Sequence, residues 1–342
     1  MSKIKLDIEK DIPLASFTTF KVGGKADYLV RAKNNETLLQ AVTWAKENNL
    51  PITIVGGGSN VLIADQGVRG LVILIESLGI SVEEEKDKIL VTAQAGESLD
   101  DLIAYSVERG WWGLENLSAI PGSVGAAPIQ NVGAYGVEVG DCITAVQVLD
   151  MDNMSTVFLP ASECQFGYRD SLFKTPAGRK YIVLAVTFVL SREAKPNLNY
   201  RDLAEYFPKG TANQVAIRDA VIEIRSNKFP DWKILGTAGS FFKNPIIKKS
   251  AYEKLLIDYP DLPGFSLEED LVKVPLGYIL DKICHFKGVR QGQVGTYSKQ
   301  ALVIVNHGGA TALEMKDFAA TITQLVKEKT NIEIESEVTM LN

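Results

Sequence analysis

Residues 50–75 read LPITIVGGGSNVLIADQGVRGLVILI, in which short apolar runs alternate with glycine and polar residues. Apolar runs bounded by glycines predict a strand, a glycine loop over residues 56–58, a short strand, a turn and a further strand. A dinucleotide fingerprint needs another spaced glycine and a following helix, and a P-loop needs Gly-Lys-Ser/Thr. Here Ser59, Asn60 and an apolar run follow instead. The loop is therefore either a structural turn or a cradle of backbone amides that holds a nucleotide cofactor between strands.

The sequence on both sides predicts a mixture of helices and strands. Helical apolar spacing with Asn34 or Asn35 as N-cap indicates a helix over residues 34–49, and capping-box spacing of Ser98 and Asp101 starts another. Residues 113–140 have neither period. Periodicity and length predict the remaining elements, which are strands at 88–96 and 181–190, a hairpin at 143–160 turning at Asp152-Asn153, helices at 214–229, 275–284 and 311–329, the last with a Thr311/Glu314 capping box, and strands at 301–306 and 331–338.

Composition excludes several classes of protein and site. The chain has 342 residues, which suggests two or three domains, and its net charge of −6 does not suit nonspecific nucleic-acid binding. Its three cysteines are widely spaced and its two histidines lie in no recognisable motif, so we expect neither a disulfide framework nor a metal site. The N-terminus has no apolar core of a signal peptide, and no run reaches 18 apolar residues. We expect a cytoplasmic protein that does not bind membranes.

Three further stretches contain candidate functional residues, each with an open alternative. Residues 117–136, LSAIPGSVGAAPIQNVGAYG, form either a buried irregular connection or backbone that packs closely on a planar or extended ligand. Arg169, within FGYRDSLFK, either pairs with Asp170 or holds a carboxylate or an enolate with its planar fork. The stretch GSFFKNP, residues 239–245, is bounded by glycine and proline and indicates a loop.

Six motifs in order give a specific resemblance, although each alone is weak. They are TTFKVGG, VGGGSN, PGSVGAAPIQNVGAYG, FGYRDS, GTAGSFFKNP and ESEV. From Phe17 to Val338 the chain resembles the UDP-N-acetylenolpyruvoylglucosamine reductases of bacterial peptidoglycan synthesis. The stretch LNYRDL, residues 198–203, is similar to the tyrosine-bearing insertion of the type I subfamily.

The resemblance implies an α+β fold with two functional regions. An FAD-binding region similar to the vanillyl-alcohol oxidases occupies residues 1–225, in two subdomains of about 1–75 and 76–225. A C-terminal α+β substrate-binding domain follows at 226–330, and residues 331–342 return to the active site as a strand. The implied cofactor is non-covalent FAD, with NADPH as co-substrate, and we expect a monomer.

The resemblance also assigns site residues. The catalytic group matches Arg169, Ser240 and Glu337. Positions that contact the UDP-sugar match Tyr200, Lys228, Asn244 and Gln300. The residues expected to wrap FAD are Gly56, Gly57, Gly58, Ser59, Asn60, Pro121, Gly122, Ser123, Gly125, Ala126, Gln130, Asn131, Gly133, Ala134 and Tyr135. No metal ligand is implied.

The terminal acidic motif departs from the family at Ser336, where some members have proline. Strict alternation over residues 331–338 places three glutamates on one face of the predicted strand. We expect Glu333 and Glu335 to face solvent and Glu337 to turn into a cleft.

The implied chemistry is reduction of an enolpyruvyl UDP-sugar. NADPH reduces FAD and leaves, and the enolpyruvyl substrate then enters the same site. Arg169 and Glu337 polarise its carboxylate, while Ser240 donates a proton to the neighbouring carbon. Two alternatives remain open, which are an FAD-dependent oxidase of the same fold and a non-enzymatic nucleotide-binding regulatory module.

Overall fold

The computed structural model describes residues 6–86, 88–268 and 270–342. Its strands are β1 (Glu9–Pro13), β2 (Lys25–Ala32), β3 (Ile52–Val55), β4 (Val61–Ile63), β5 (Val68–Ile75), β6 (Ile80–Glu85), β7 (Lys88–Gln94), β8 (Gly133–Ala134), β9 (Val137–Glu138), β10 (Ile143–Asp150), β11 (Ser155–Pro160), β12 (Tyr181–Ser191), β13 (Gly236–Ser240), β14 (Ile246–Lys248), β15 (Phe265–Glu268), β16 (Leu271–Lys273), β17 (Arg290–Gln291), β18 (Val294–Tyr297), β19 (Gln300–Asn306) and β20 (Thr339–Leu341).

The helices are α1 (Asn35–Glu47), α2 (Leu99–Glu108), α3 (Arg201–Tyr206), α4 (Gln214–Lys228), α5 (Lys249–Asp258), α6 (Leu276–Tyr278) and α7 (Ala312–Thr330). Short 3₁₀ turns lie at Ala15–Phe17, Glu115–Leu117, Val124–Ala126, Val139–Asp141, Ala161–Glu163 and Leu172–Lys174, and a π-helical turn lies at Ile279–Ile283. In the part of the chain that the structure describes, no helix has the length and apolar character needed to cross a membrane.

The chain divides into two compact units that are interleaved in sequence. The first runs through Ile12 and then comprises Ala26–Gly58 and Val68–Arg225, whereas the second comprises Pro13–Lys25, Ser59–Gly67 and Ser226–Asn342. The sequence analysis placed all of residues 1–225 in one region. The structure groups two short segments with the C-terminal unit, because strand β4 pairs with β20 and Phe20 packs on Phe241 there.

A four-stranded sheet of order β1-β2-β5-β3 begins the first unit. Strands β2 and β3 both pair with β5 in parallel, and helix α1 connects them. Asn34 caps α1 by accepting a hydrogen bond from the Thr37 N–H at 2.8 Å, which selects one of the two predicted caps. Leu38 and Val42 of α1 are buried in the unit's core, as their helical spacing predicted.

A five-stranded antiparallel sheet of order β11-β10-β12-β7-β6 forms the rest of the first unit's framework. The predicted buried strand is its central member, β12, and the predicted hairpin is the β10–β11 pair. Residues 113–140 connect these elements through short 3₁₀ turns and the small β8–β9 pair, as the lack of periodicity predicted.

The second unit contains a sheet of order β13-β19-β18-β17, a sheet of order β14-β16-β15, and the parallel pair β4–β20. Phe20 and Phe241 pack in its core with ring centroids 6.1 Å apart. Helix α7 has the predicted capping box, in which Thr311 and Glu314 each accept from the other's backbone N–H. Asp65 adds a long-range cap, because its carboxylate accepts from the Ala312 N–H at 2.7 Å.

Two predictions about the second unit were wrong in detail. Residues 331–338 form no strand beyond an isolated bridge between Ser336 and Phe242, and β20 begins one residue later, where β4 provides a partner. The predicted helix at 275–284 consists of one α-turn followed by the π-helical turn. The alternation itself was informative, since Ile332 and Ile334 are buried while Glu333 and Glu335 are exposed and Glu337 is half-buried.

Candidate active site

In the first unit, the backbones of two glycine-containing loops contact each other directly. A Cβ added to Gly57 would lie 2.9 Å from Gly122 Cα, and one added to Gly56 would lie 2.4 Å from Ser123 Oγ. Contacts this short exclude a side chain at Gly57 unless the backbone moves. The absence of side chains therefore lets the loop at 56–58 and the loop at 121–136 lie directly against each other.

The side chain of Ser123 fits a cofactor at this place. Ser123 is 6% exposed, and within the described residues its Oγ has no hydrogen-bond partner. A buried hydroxyl without a partner is costly unless a ligand or water satisfies it. Beside the backbone of two abutting glycine loops, it offers a hydrogen-bonding group to a flavin nucleotide.

The other predicted cofactor residues fall into two groups. Gly58, Pro121, Gly122, Gly125, Ala126, Gln130, Asn131, Gly133, Ala134 and Tyr135 lie in the first unit, with Gly56, Gly57 and Ser123. Ser59 and Asn60 are the next residues of the chain but belong to the second unit. There the Asn60 side-chain amide donates to the Glu337 carbonyl at 3.1 Å, which links a predicted cofactor residue to a predicted catalytic residue.

Arg169 lies at the tip of a tight turn in the first unit. Gly167 and Asp170 pair through reciprocal backbone hydrogen bonds of 3.0 and 3.1 Å, and Arg169 between them has a left-handed backbone with φ 54°. Its guanidinium donates to the Gly133 carbonyl at 2.6 Å. A non-glycine residue in this conformation is retained only where its surroundings enforce it, so the turn places the guanidinium beside the glycine-rich loop.

Of the four predicted substrate contacts, Tyr200 lies in the first unit. It is 45% exposed, it precedes α3, and its ring packs edge to face on Tyr135 with centroids 5.3 Å apart. Burial raises the pKa of Tyr135 to about 12 and also raises the pKa of Tyr200. Asn116 joins the two segments, since its amide donates to the carbonyls of Tyr135 and Asn197 at 2.8 and 2.9 Å.

Ser240 and Glu337 come close together in the second unit. The Glu337 N–H donates to the carbonyl of Phe241, the residue after Ser240, at 2.8 Å. Ser240 ends strand β13 opposite Val303 and is half-buried. The prediction of a loop over residues 239–245 was therefore wrong at its start, because pairing with β19 extends the strand through Ser240 and the two following phenylalanines are buried.

The remaining predicted substrate residues also lie in the second unit. Asn244 accepts from the Leu276 N–H at 2.9 Å, and Gln300 begins strand β19 with its side chain half-buried. Lys228 ends helix α4. The side-chain amine of Lys243, whose role the sequence did not indicate, pairs with Glu335 at 3.1 Å.

Sequence reasoning missed a group of charged residues around Ala119, which has a left-handed backbone with φ 58°. Asp100 accepts from the Ala119 N–H at 2.6 Å, and Arg225 donates to its carbonyl at 3.1 Å. Arg218 pairs with Asp100 at 2.6 Å. In the sequence, these residues could have been found from the seven-residue spacing of Arg218 and Arg225, which puts both on one face of α4.

Comparison with known proteins identifies the family. Residues 26–155 match the model described as an FAD binding domain, and residues 230–341 match the C-terminal domain of UDP-N-acetylenolpyruvoylglucosamine reductase. The UDP-N-acetylenolpyruvoylglucosamine reductase of Cupriavidus pinatubonensis is 42% identical over 98% of this chain and 99% of its own length. The chain belongs to the UDP-N-acetylenolpyruvoylglucosamine reductase family.

Other members of the family agree in length and fold. The reductase of Bdellovibrio bacteriovorus is 41% identical over 97% of this chain and 99% of its own length. The crystal structure of UDP-N-acetylenolpyruvylglucosamine reductase from Thermus caldophilus is 24% identical, covers 99% of both chains and has a TM-score of 0.68. These findings confirm the predicted α+β class, with an FAD-binding region followed by a C-terminal domain, and FAD as the cofactor.

Proposed function

We propose that this protein reduces the enolpyruvyl group of UDP-N-acetylglucosamine enolpyruvate with NADPH and forms UDP-N-acetylmuramate for peptidoglycan synthesis. The observation that carries this proposal is the full-length relationship to proteins named as this reductase. The unpartnered Ser123 hydroxyl beside two abutting glycine loops supports FAD as the cofactor. We further propose that it works in the cytoplasm as a monomer.

FAD, when bound and reduced by NADPH, supplies the hydride that the alkene accepts. The residues expected to hold it are Gly56, Gly57, Gly58, Ser59, Asn60 and, from the loop at 121–136, Pro121, Gly122, Ser123, Gly125, Ala126, Gln130, Gly133, Ala134 and Tyr135. The close approach of Gly57 to Gly122 supports this assignment, because it leaves backbone rather than side chains where the two loops meet. Ser123 contributes a hydroxyl that forms no hydrogen bond with any described residue.

Arg169 and Glu337 make the alkene reactive. An enol ether accepts hydride poorly unless the attached carboxylate is polarised. The alkene carbon next to that carboxylate can then carry negative charge. The planar guanidinium of Arg169 suits a carboxylate, and the tight turn around it supports a fixed position. Glu337 in its protonated form donates a second hydrogen bond to that carboxylate.

Ser240 donates the proton that completes the reaction. A serine hydroxyl is a weak acid, and it suits a strongly basic carbanion-like centre within hydrogen-bond reach. Its place at the end of β13, one residue from the Phe241 carbonyl that Glu337 contacts, supports a shared role for Ser240 and Glu337. Tyr200, Lys228, Asn244 and Gln300 contact the UDP-sugar, with Tyr200 as an exposed aromatic cover.

An anaerobic spectroscopic experiment tests the function. We expect the purified protein to be yellow, to bleach with NADPH, and to regain its colour when UDP-N-acetylglucosamine enolpyruvate is added without oxygen. Acid precipitation should release the flavin from the protein. Consumption of oxygen with NADPH alone, with no response to the sugar nucleotide, would instead indicate an oxidase, and a colourless protein that binds no FAD would indicate a regulatory module.

A further inference from the structure

The side-chain amide of Asn131 forms three hydrogen bonds within the first unit. Asn131 is 2% exposed. Its Nδ2 donates to Glu138 Oε2 at 2.6 Å and to the Gly167 carbonyl at 3.0 Å, while its Oδ1 accepts from the Gly140 N–H at 2.9 Å. Both amide hydrogens are therefore used by the protein itself.

One of these bonds joins two segments of different predicted roles. Asn131 belongs to the loop at 121–136, whereas Gly167 opens the four-residue turn that carries Arg169 at its tip. A second contact supports the same junction, since Ser171 Oγ donates to the Ile129 carbonyl at 2.6 Å. The turn is thus attached on both sides of Arg169 to the loop that contains Asn131.

We propose that Asn131 is a positioning residue that holds the Arg169 turn against the glycine-rich loop, rather than a residue that binds the cofactor. The proposal rests on the role proposed above for Arg169. It follows from the engagement of both Nδ2 hydrogens, one of them on the carbonyl at the base of the turn. The left-handed backbone of Arg169 makes such an attachment necessary, because an unsupported turn relaxes to other conformations.

Asn131→Asp is a sharp test because it conserves volume and one hydrogen bond. The aspartate can still accept from the Gly140 N–H, but it loses both donations and places a carboxylate beside Glu138. Asn153→Asp is the matched control, since Asn153 lies in an exposed turn where its Oδ1 only accepts, from the N–H and Oγ of Ser155. Both variants are compared with the wild-type holoprotein.

Three measurements separate positioning from cofactor binding. We expect the dissociation constant for FAD to change by less than about threefold in Asn131→Asp, since no hydrogen bond to the cofactor is lost. Flavin reoxidation by the enolpyruvyl sugar should slow on the order of 10–10²-fold, as for a reacting group displaced by a fraction of an ångström. Hydrogen exchange should accelerate at the amides of Gly167 and Asp170 while the Gly140 amide stays protected. Asn153→Asp should match the wild type in all three.

Each alternative outcome has a distinct meaning. A large loss of FAD affinity with normal reoxidation would show that Asn131 binds the cofactor, and unchanged exchange at the turn would show that it does not position Arg169. Uniform acceleration of exchange across the first unit would show a general structural role instead. If the wild-type protein does not turn over the sugar nucleotide, the proposed function fails, but the exchange and FAD measurements still decide the role of Asn131.

Discussion

Ser123→Ala should lower the affinity for FAD without lowering the stability of the cofactor-free protein. Ser123 Oγ is buried and has no hydrogen-bond partner within the described part of the chain. Removing a buried hydroxyl that lacks a partner relieves a desolvation cost, so the free energy of unfolding without FAD should stay unchanged or rise, by up to about 1–3 kcal/mol.

The affinity for FAD should fall because the same hydroxyl faces the predicted cradle. A hydrogen bond to a neutral group contributes about 0.5–1.5 kcal/mol, and one to a charged phosphate about 1.5–3 kcal/mol. Since about 1.4 kcal/mol is tenfold in affinity, the dissociation constant should rise by a few-fold to roughly 100-fold. With FAD in excess, a tenfold weaker affinity lowers the stabilisation by the cofactor by about 1.4 kcal/mol.

The assay is urea unfolding of the protein with and without FAD, combined with a titration of FAD into the cofactor-free protein followed by flavin fluorescence. Ser118→Ala is the matched control, because Ser118 is fully buried and its Oγ donates to the Glu115 carbonyl at 2.6 Å. The control should lose about 0.5–1.5 kcal/mol of stability without FAD and little affinity. The reasoning is refuted if Ser123→Ala behaves like Ser118→Ala.

Three further predictions concern catalysis, the substrate and pH. In Ser240→Ala the flavin should bleach with NADPH at nearly the normal rate, whereas anaerobic stopped-flow should show its reoxidation by the sugar nucleotide slowed by about 10²–10⁴-fold. Ser240→Cys should recover part of the reoxidation rate. Reoxidation at the wild-type rate in Ser240→Ala would exclude Ser240 as proton donor. Tyr200→Phe should weaken binding of the UDP-sugar in a steady-state titration while leaving flavin reduction nearly unchanged, and equal damage to both half-reactions would contradict its role as a cover. Burial opposes ionisation of Asp100, but hydrogen bonds from Arg218 and the Ala119 N–H outweigh it and lower its pKa below 3.8. The contribution of the Asp100 carboxylate to stability is therefore present at neutral pH and is lost as the pH falls below 3.8. Asp100→Asn should have a lower free energy of unfolding than the wild type at pH 7, and urea unfolding at successively lower pH should bring the two values together. A constant difference at every pH would show that the charge is unimportant.

Local signals predicted those elements whose stability is local. Helix α7 was predictable because the Thr311/Glu314 box and the apolar face lie within its own residues. The alternation over residues 331–338 correctly separated the buried isoleucines from the exposed Glu333 and Glu335. The strand that it also predicted does not form, because a strand needs a partner and β4 pairs only with residues 339–341.

Contacts between distant parts of the chain escaped prediction from the sequence. Strand β4 has three residues, and its partner β20 lies at the other end of the chain. No periodicity in a window of ten or twenty residues can indicate such a pairing. The same limit applies to the site, where the resemblance assigned roles to single residues but could not indicate that the side-chain amide of Asn131 is already engaged by Glu138 and Gly167.

The charged residues around Ala119 show how side chains distant in sequence can fix the backbone at the entrance to a loop. Ala119 is held on both sides, with its N–H on Asp100 and its carbonyl on Arg225. A left-handed alanine costs about 1–2 kcal/mol relative to a right-handed one, which is similar to what its hydrogen bonds to these charged groups contribute. Since Arg218 also holds Asp100, one face of α4 fixes the conformation in which the chain enters the loop at 121–136. Glycine at position 119 would adopt this backbone more easily, but it would also make the entrance to the loop more mobile in the unfolded chain. The alanine, together with its three charged neighbours, thus fixes the backbone at the entrance to the loop.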